Sequence, residues 1–155
     1  MENKTLKIEN ATVMFKNFSG RETEFNRAGD RNFSVIIPDP QLAEALAAEG
    51  WNVKALKPKD EGDAPAYFIS VKIRFNDKGP QVYMITRRGK TKLDEASVST
   101  LDMVEFRTCD LIINPWPYQL RTGQRGISAY LKTMYVVVEE DEFADKYADD
   151  APFDE

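Results

Sequence analysis

Most of the chain alternates apolar and polar residues with a period of two, which is typical of half-buried β-strands. Residues 5–15 open this pattern, and an irregular step near Glu9-Asn10 predicts a bulge or a break in the first strand. A short apolar strand is expected at 32–37, and two longer β-rich runs follow at 103–114 and 126–139. The chain is therefore predicted to be mainly β.

A further pair of strands is expected in the middle of the chain. Residues 66–75 alternate cleanly between an apolar and a more polar face. The segment 76–80 reads Asn-Asp-Lys-Gly-Pro, which is turn chemistry, and 81–86 resumes the strand pattern. The spacing predicts a β-hairpin over 66–86.

One helix is predicted between residues 40 and 49. Asp39 can cap its first turn, Pro40 suits the first helical position, and Gly50 is placed to end it in a left-handed conformation. A weaker helical segment is expected at 94–101, with Val98 and Leu101 on one face. The apolar stripe of the first helix is expected to comprise Leu42, Ala45 and Leu46.

Five or six strands with one or two helices in 155 residues amount to a single small domain. Such a set of elements favours a closed or partly closed barrel. The five-stranded oligonucleotide/oligosaccharide-binding barrel, the OB-fold, fits best. In that barrel the connection between the last two long strands, here a predicted loop over 115–125, is a ligand-binding loop.

The composition removes several kinds of chemistry. The chain has no histidine, so the usual general base, the common nucleophile systems and histidine zinc sites are absent. Its single cysteine, Cys109, cannot form an internal disulfide and is expected to be a structural thiol. No run of about 18 apolar residues and no signal-like start are present, so we expect a cytoplasmic protein without a membrane span, and no cofactor.

Charge is distributed unevenly along the chain. The net charge is −5, but residues 139–155 carry nine acids and one lysine. The first 138 residues therefore carry a net charge of +3. A mildly basic body with an acidic tail indicates a nucleic-acid partner or an interaction tail.

A cluster of cations beside an aromatic residue is the first candidate binding element. It lies at the end of the 81–86 strand and in the turn after it, where cations can follow phosphates and a ring can stack on a base. A solvated basic turn is the alternative. The residues of this cluster are Tyr83, Arg87, Arg88, Lys90 and Lys92.

The loop 115–125 is the second candidate. Trp116 and Tyr118, stiffened by flanking prolines, can act as stacking platforms, with Arg121 and Arg125 as phosphate partners. Alternatively, Trp116 folds back as a plug over the barrel mouth.

Weaker signals of the same kind occur elsewhere in the chain. Trp51 follows the helix and is expected to pack beneath it, while Lys54 and Lys57 are candidates for contact with a nucleic-acid backbone. On the last strand, Tyr130 and Lys132 are predicted on one face and Tyr135 on the other.

The acidic C-terminal segment has almost no helix or strand pattern. We expect a domain boundary near residue 140, with an OB-like body at 1–140 and a flexible, disordered partner-binding tail at 141–155. A Pro-Phe pair among acids suits a basic-rimmed pocket on a partner protein. The candidate partner-binding residues are Asp149, Asp150, Pro152, Phe153 and Asp154.

The tail resembles the acidic tip of bacterial single-stranded-DNA-binding proteins, and the body with its tail is similar to the bacteriophage proteins of that class. The segments 50–54, 85–91 and 129–135 add to this resemblance. In the bacterial proteins phenylalanine is the last residue, whereas Phe153 is followed by Asp154 and Glu155. The resemblance implies binding to single-stranded DNA in replication or recombination, no chemistry on the DNA, and recruitment of replication or recombination proteins through the tail.

Two other classes of function remain open at this point. One is an OB-fold RNA-binding or protein–protein adaptor module whose tail mimics nucleic acid. The other is a nuclease, for which a carboxylate pair such as Asp94-Glu95 or Asp149-Asp150 would have to hold Mg²⁺. Adjacent strand residues face opposite ways, however, and disordered pairs do not fix an octahedral site. The oligomeric state is also open, a homo-oligomer included.

Overall fold

The computed structural model describes residues 4–24, 26–57, 62, 65–77 and 79–140. Within them the chain forms nine β-strands, one α-helix and one 3₁₀ turn. The first four strands and the helix are β1 (Leu6–Ile8), β2 (Val13–Asn17), β3 (Arg31–Ile37), α1 (Pro40–Glu49) and β4 (Val53–Leu56). The remaining elements are β5 (Ala66–Ile73), β6 (Gln81–Thr86), β7 (Gly89–Leu93), the 3₁₀ turn (Val98–Asp102), β8 (Phe106–Gln119) and β9 (Arg125–Val138).

The main sheet has the strand order of an OB barrel. β8, β9, β5, β3 and β2 are neighbours in that order, and β1 pairs with the outer side of β8. β5 and β9 run parallel, whereas the other neighbours along this path run antiparallel. Because β1 and β2 are consecutive in the chain, residues 6–17 join both edges of the sheet. The predicted OB-like, mainly β fold is confirmed.

The break between β1 and β2 lies where the sequence predicted it. Asn10 has a φ of 52°, and its N–H donates to Oδ1 of Asp110 over 2.9 Å. The N–H of Ala11 donates to the carbonyl of Cys109 over 2.7 Å. These bonds turn the chain from β8 towards β3, which lets one segment serve both edges.

The core lies inside the barrel and is built by alternate residues of its strands. Cys109 belongs to this core, with a relative exposure of 0%. Burial, with a contribution from neighbouring Asp110, raises the pKa of its thiol to about 12. The expectation of a structural thiol is confirmed. Inward-facing core residues include Phe33, Val35, Ile69, Val71, Leu111, Ile113, Met134 and Val136.

The helix α1 begins and ends as predicted, but its buried stripe differs. The carboxylate of Asp39 accepts a hydrogen bond from the N–H of Gln41, and Gly50 ends the helix at a φ of 112°. Of the predicted stripe, only Leu46 is buried, together with Ala43. Leu42 directly precedes Ala43, and Ala45 directly precedes Leu46. Each is therefore rotated by about 100° from its buried neighbour. They are exposed, since α1 contacts the barrel along a single narrow row.

The weaker helical segment is a single 3₁₀ turn, Val98–Asp102, which is shorter than expected. Val98 and Leu101 are fully buried, so their shared face is the one predicted. The carboxylate of Asp102 accepts hydrogen bonds from the N–H groups of Phe18 and Ser19, over 2.8 and 2.9 Å. The turn therefore anchors the start of the long loop between β2 and β3.

The predicted hairpin over 66–86 is wrong. β5 is paired with β3 on one side and with β4 and β9 on the other, so no edge remains for β6. β6 instead continues alongside β9, parallel to it, from Gln81 to Ile85. Its antiparallel partner is β7, joined to it by a turn at Arg87-Arg88.

The predicted loop over 115–125 is mostly strand. β8 and β9 stay paired up to Gln119 and Arg125, and only residues 120–124 form the turn. The pairing of β1 with β8 reaches only Ile113. Among the described residues no strand pairs with this side of β8 beyond Ile113, so β8 is an edge strand there. Prolines are tolerated on an edge strand, so Pro115 and Pro117 do not interrupt it.

No helix in the described part of the chain is both long enough and apolar enough to cross a membrane.

Candidate nucleic-acid interface

The outer face of β5 carries the first part of the candidate site. Since Ile69, Val71 and Ile73 point into the core, the alternate residues of the strand point outward. Lys72 is exposed on this face, and Arg74 continues the alternation as an exposed residue just past the strand's end. The strand thus presents two cations to solvent.

Aromatic rings lie next to these cations. Tyr130 on β9 is in register with Lys72, whose Nζ lies 5.7 Å from the ring centre. The ring of Trp116 on β8 meets that of Tyr130 edge-on, with 6.4 Å between centres and 73° between planes. Two adjoining depressions share Arg74 and Tyr130 as walls, and Trp116 lines one of them. We define the β5–β9 face as Lys72, Arg74, Trp116, Tyr130 and Lys132.

Of the two placements predicted for Trp116, an exposed platform and a plug over the barrel mouth, the structure shows the exposed one. Trp116 is 66% exposed and lies on the outer side of β8, so it is not a plug over the barrel mouth. Tyr118 lies on the same side of β8, and its ring covers Gly126 of β9. A Cβ atom at position 126 would collide with this ring. Arg121 in the turn and Arg125 at the start of β9 are exposed near the end of the same hairpin.

A β-bulge at Lys132 changes which residues of β9 face outward. Leu131 pairs with Ile113 and Thr133 with Ile112, which leaves Lys132 without a register partner. The alternation therefore shifts by one residue, and Tyr135 is exposed on the outer side like Tyr130. The prediction that the two tyrosines lie on opposite faces is wrong.

The first sequence cluster forms a second patch farther along β9. Tyr83 is in register with Tyr135, and their rings stack with 4.9 Å between centres and 14° between planes. Nζ of Lys90 lies 4.9 Å from the Tyr83 ring centre, and Lys92 is in register with Tyr83. Tyr135 is five residues beyond Tyr130, roughly 15 Å along a strand. The structure thus separates this tyrosine patch from the β5–β9 face.

One of the two arginines of the β6–β7 turn, Arg87, contacts the start of the acidic segment. The N–H of Arg87 donates to Oε2 of Glu140 over 3.0 Å, and its Nε lies 3.8 Å from the same oxygen. The N–H of Arg88 donates to the Thr86 hydroxyl over 3.3 Å. Glu140, at the start of the acidic segment 139–155, therefore contacts a basic turn.

The remaining predicted residues fall into three groups. Trp51 is 5% exposed beneath α1, as predicted. Lys54 is exposed and in register with Phe68, whereas Lys57 is exposed past the end of β4 without a described contact to other site residues. The tail residues Asp149, Asp150, Pro152, Phe153 and Asp154 lie outside the described residues.

Lys72 and Arg74 are the residues that sequence reasoning missed. Both lie on the polar face of the strand predicted at 66–75. The predicted hairpin placed no other candidate binding residue next to them. The available signal was two cations at alternate positions, which any half-exposed strand also shows. Only the parallel register with β9 brings Lys72 to Tyr130.

Of the carboxylates considered for a metal, Asp94 and Glu95 have structural roles, and Asp149 and Asp150 lie outside the described residues. Asp94 accepts hydrogen bonds from the Ser97 hydroxyl and from the N–H groups of Ser97 and Ala96. The bonds from Ser97 lower the pKa of Asp94 below its usual range. Glu95 pairs with Arg31 at 3.4 Å. Among the described residues, no group of three or more candidate ligands is placed to hold a metal ion.

An OB barrel with aromatic and basic side chains on its outer face defines the class of this molecule as an OB-fold protein with a candidate nucleic-acid interface. The chain belongs to the family described as putative phage ssDNA-binding domain, whose model matches residues 1–155. A comparison with curated proteins found no match.

Solved structures of one phage protein share the fold. The single-stranded DNA-binding protein from bacteriophage Enc34 is 12% identical, with 92% of this chain and 89% of that chain covered and a TM-score of 0.55. Its C-terminal truncation is 15% identical, with 88% and 87% covered and a TM-score of 0.52. Its complex with ssDNA is 15% identical, with 90% and 89% covered and a TM-score of 0.51.

Proposed function

We propose that this protein binds single-stranded DNA without base preference through the β5–β9 face, and performs no chemistry on it. The observation that carries the proposal is the juxtaposition of the Trp116 and Tyr130 rings with Lys72. Exposed rings stack on any base, and nearby cations follow the phosphates, so the arrangement suits sequence-independent binding. Membership in the phage family supports the choice of single-stranded DNA.

The proposed interface extends along the β8–β9 hairpin. Tyr118, Arg121 and Arg125 continue the aromatic and basic character towards its turn, and Lys132 borders the depression at Trp116. The tyrosine patch, with Tyr83, Lys90 and Lys92, offers a second contact surface on the same strand β9. Arg87, Arg88, Lys54 and Lys57 are proposed as peripheral phosphate contacts.

Salt dependence tests this proposal directly. Each phosphate contact contributes about −0.7 to the log–log salt slope for single strands, so five contacts give about −3.5. Fluorescent oligo-dT is titrated with the full chain at several salt concentrations, with oligo-U and a duplex of equal length in parallel. We expect tight, salt-dependent binding of oligo-dT. A slope near zero, or equal affinity for duplex, contradicts the proposal, and preference for oligo-U favours the RNA-binding alternative.

We further propose that residues 141–155 act as a flexible acidic tail on a body of residues 1–140. The segment 139–155 carries a net charge of −8 and is tethered to a basic surface, so its effective local concentration there is high. The contact between Glu140 and Arg87 supports a path of the tail towards that surface. The tail would compete with DNA at low salt.

The end of the tail is proposed to recruit replication or recombination proteins in the cytoplasm of a bacterial host. Phe153 would enter an apolar pocket, while Asp149, Asp150 and Asp154 would meet its basic rim, with Pro152 fixing the approach. Immobilised full chain and a Phe153→Ala variant are compared for retention of purified host replication proteins. Retention by both to the same extent contradicts this role of Phe153.

A further inference from the structure

Phe15 has an unusual conformation on the surface of the barrel. Its φ is 53°, in the left-handed region that residues other than glycine rarely adopt. It lies in a bulge of β2, where Phe15 and its successor occupy the space opposite a single residue of β3, between the pairs Met14–Ser34 and Asn17–Asn32. Its side chain is 61% exposed.

Folding stability gives little reason for this arrangement. A phenylalanine that remains mostly in water gains little from burial, and its backbone conformation is strained. Such strain clusters at ligand-binding positions, where a bulge aims a side chain that a regular strand would point elsewhere. The bulge therefore presents the Phe15 ring outward at a cost in stability.

A second ring meets Phe15 above the sheet. The rings of Phe15 and Phe68 lie 6.1 Å apart between centres, with 72° between their planes. Since β3 runs between β2 and β5, the two rings meet over the outer face of β3. Lys54 is in register with Phe68 and is exposed, so a cation accompanies this aromatic pair.

This pair continues the β5–β9 face along one strand. Phe68 and Lys72 both point outward from β5 and are four residues apart, which is about 13 Å in a strand. A nucleic-acid strand that contacts Tyr130 and Lys72 can therefore continue along β5 to Phe68. The two aromatic groups lie at opposite ends of one outward-facing row.

We propose that Phe15 and Phe68 form a second base-stacking site for single-stranded DNA, with Lys54 as its phosphate partner. The proposal rests on the proposed function and adds Phe15 and Phe68, which neither the sequence motifs nor the family match assigned. The strained bulge then holds the Phe15 ring in the position from which it stacks on a base. Base–aromatic stacking of this kind changes affinity by about 5- to 150-fold per base.

The test compares variants of the full chain on two ligands, oligo-dT and an abasic oligonucleotide of the same length and charge. Phe15→Ala and Phe68→Ala are each expected to weaken oligo-dT binding by about 5-fold or more. Neither should change the affinity for the abasic strand, because that strand has no bases to stack. Leu42→Ala, which truncates an exposed apolar residue on α1, is the matched control.

Phe15→Gly separates a binding role from a packing role. Glycine accepts the positive φ without strain, so this variant should melt at the same temperature as the wild type or higher, yet lose oligo-dT affinity. A lower melting temperature, unchanged oligo-dT affinity in both alanine variants, or equal losses on the two ligands would overturn the second site. Absence of oligo-dT binding by the wild type would instead contradict the proposed function itself.

Discussion

At the scale of single residues, the two tryptophans of the chain have opposite environments. Trp51 is enclosed beneath α1, whereas Trp116 stands on the outer side of β8 beside Tyr130. The sequence predicted the position of Trp51 because it directly follows the helix end. It left Trp116 undecided, because a tryptophan between two prolines is compatible with both a stacking platform and a plug. Pairing of β8 with β9 up to Gln119 is what settles the geometry.

Replacement of each tryptophan should therefore have a different consequence. Trp116→Ala should weaken oligo-dT binding by about 1–3 kcal/mol with little change in melting temperature. Trp51→Ala should cost about 3–5 kcal/mol of stability, because it empties a buried site. In fluorescence titrations, Trp116→Phe should remove the DNA-induced quenching and Trp51→Phe should retain it. Quenching that persists in Trp116→Phe would place Trp116 outside the interface.

Lys72 is expected to contact a phosphate, because its ammonium group lies over the Tyr130 ring, on which a base would stack. Lys72→Ala should make the log–log salt slope shallower by about 0.7 and weaken binding most at low salt. Arg107→Ala is the control, because this exposed cation lies on β8 nine positions before Trp116, roughly 30 Å along a strand. Equal effects of the two variants would mean that only overall charge matters.

At the scale of elements, the strand pattern predicted where most strands lie but not which strands pair. β3, β5, β6 and the long runs of β8 and β9 were expected, because period-two alternation is a local property. The false hairpin over 66–86 arose because a short turn between two strands usually pairs them, whereas here β9 takes both as parallel neighbours. The sequence pattern did not predict the bulge at Lys132 either, because the bulge depends on the register between β9 and β8. These non-local pairings place Lys72 of β5 and Tyr83 of β6 beside different stretches of β9, at Tyr130 and at Tyr135.

The contribution of the β8–β9 hairpin to DNA binding can be tested without removing a binding residue. A Cβ on Gly126 would displace the ring of Tyr118, so Gly126→Ala should reduce oligo-dT affinity as much as Tyr118→Ala does. Combining both substitutions should cost no more than either alone, because they remove the same interaction. Thr108→Ala, at an exposed position of β8 eight residues before Trp116, is the control. Additive losses in the double variant would show that Gly126 acts independently of Tyr118.

At the scale of the whole molecule, charge is divided between the body and its C-terminal segment. The net −8 of residues 139–155 exceeds in magnitude the +3 of the first 138 residues. Composition predicted this asymmetry without any structure. The structure adds that the first part of the acidic segment reaches the β6–β7 turn, where Glu140 contacts Arg87. On the proposal that the tail competes with DNA, the occupant of the basic surface should depend on salt and on DNA concentration.

Deletion of residues 144–155 should raise the affinity for oligo-dT at low salt, because it removes a tethered competitor for the basic surface. The gain should fade as salt screens the attraction, since the Debye length falls to about 8 Å at physiological ionic strength. A full-length variant whose tail acids are replaced by the corresponding amides should show the same gain, which separates charge from length. Phe153→Ala should leave DNA affinity unchanged, because it removes an apolar ring and no charge. If the truncated protein binds oligo-dT no more tightly than the full chain at low salt, the tail does not compete with DNA.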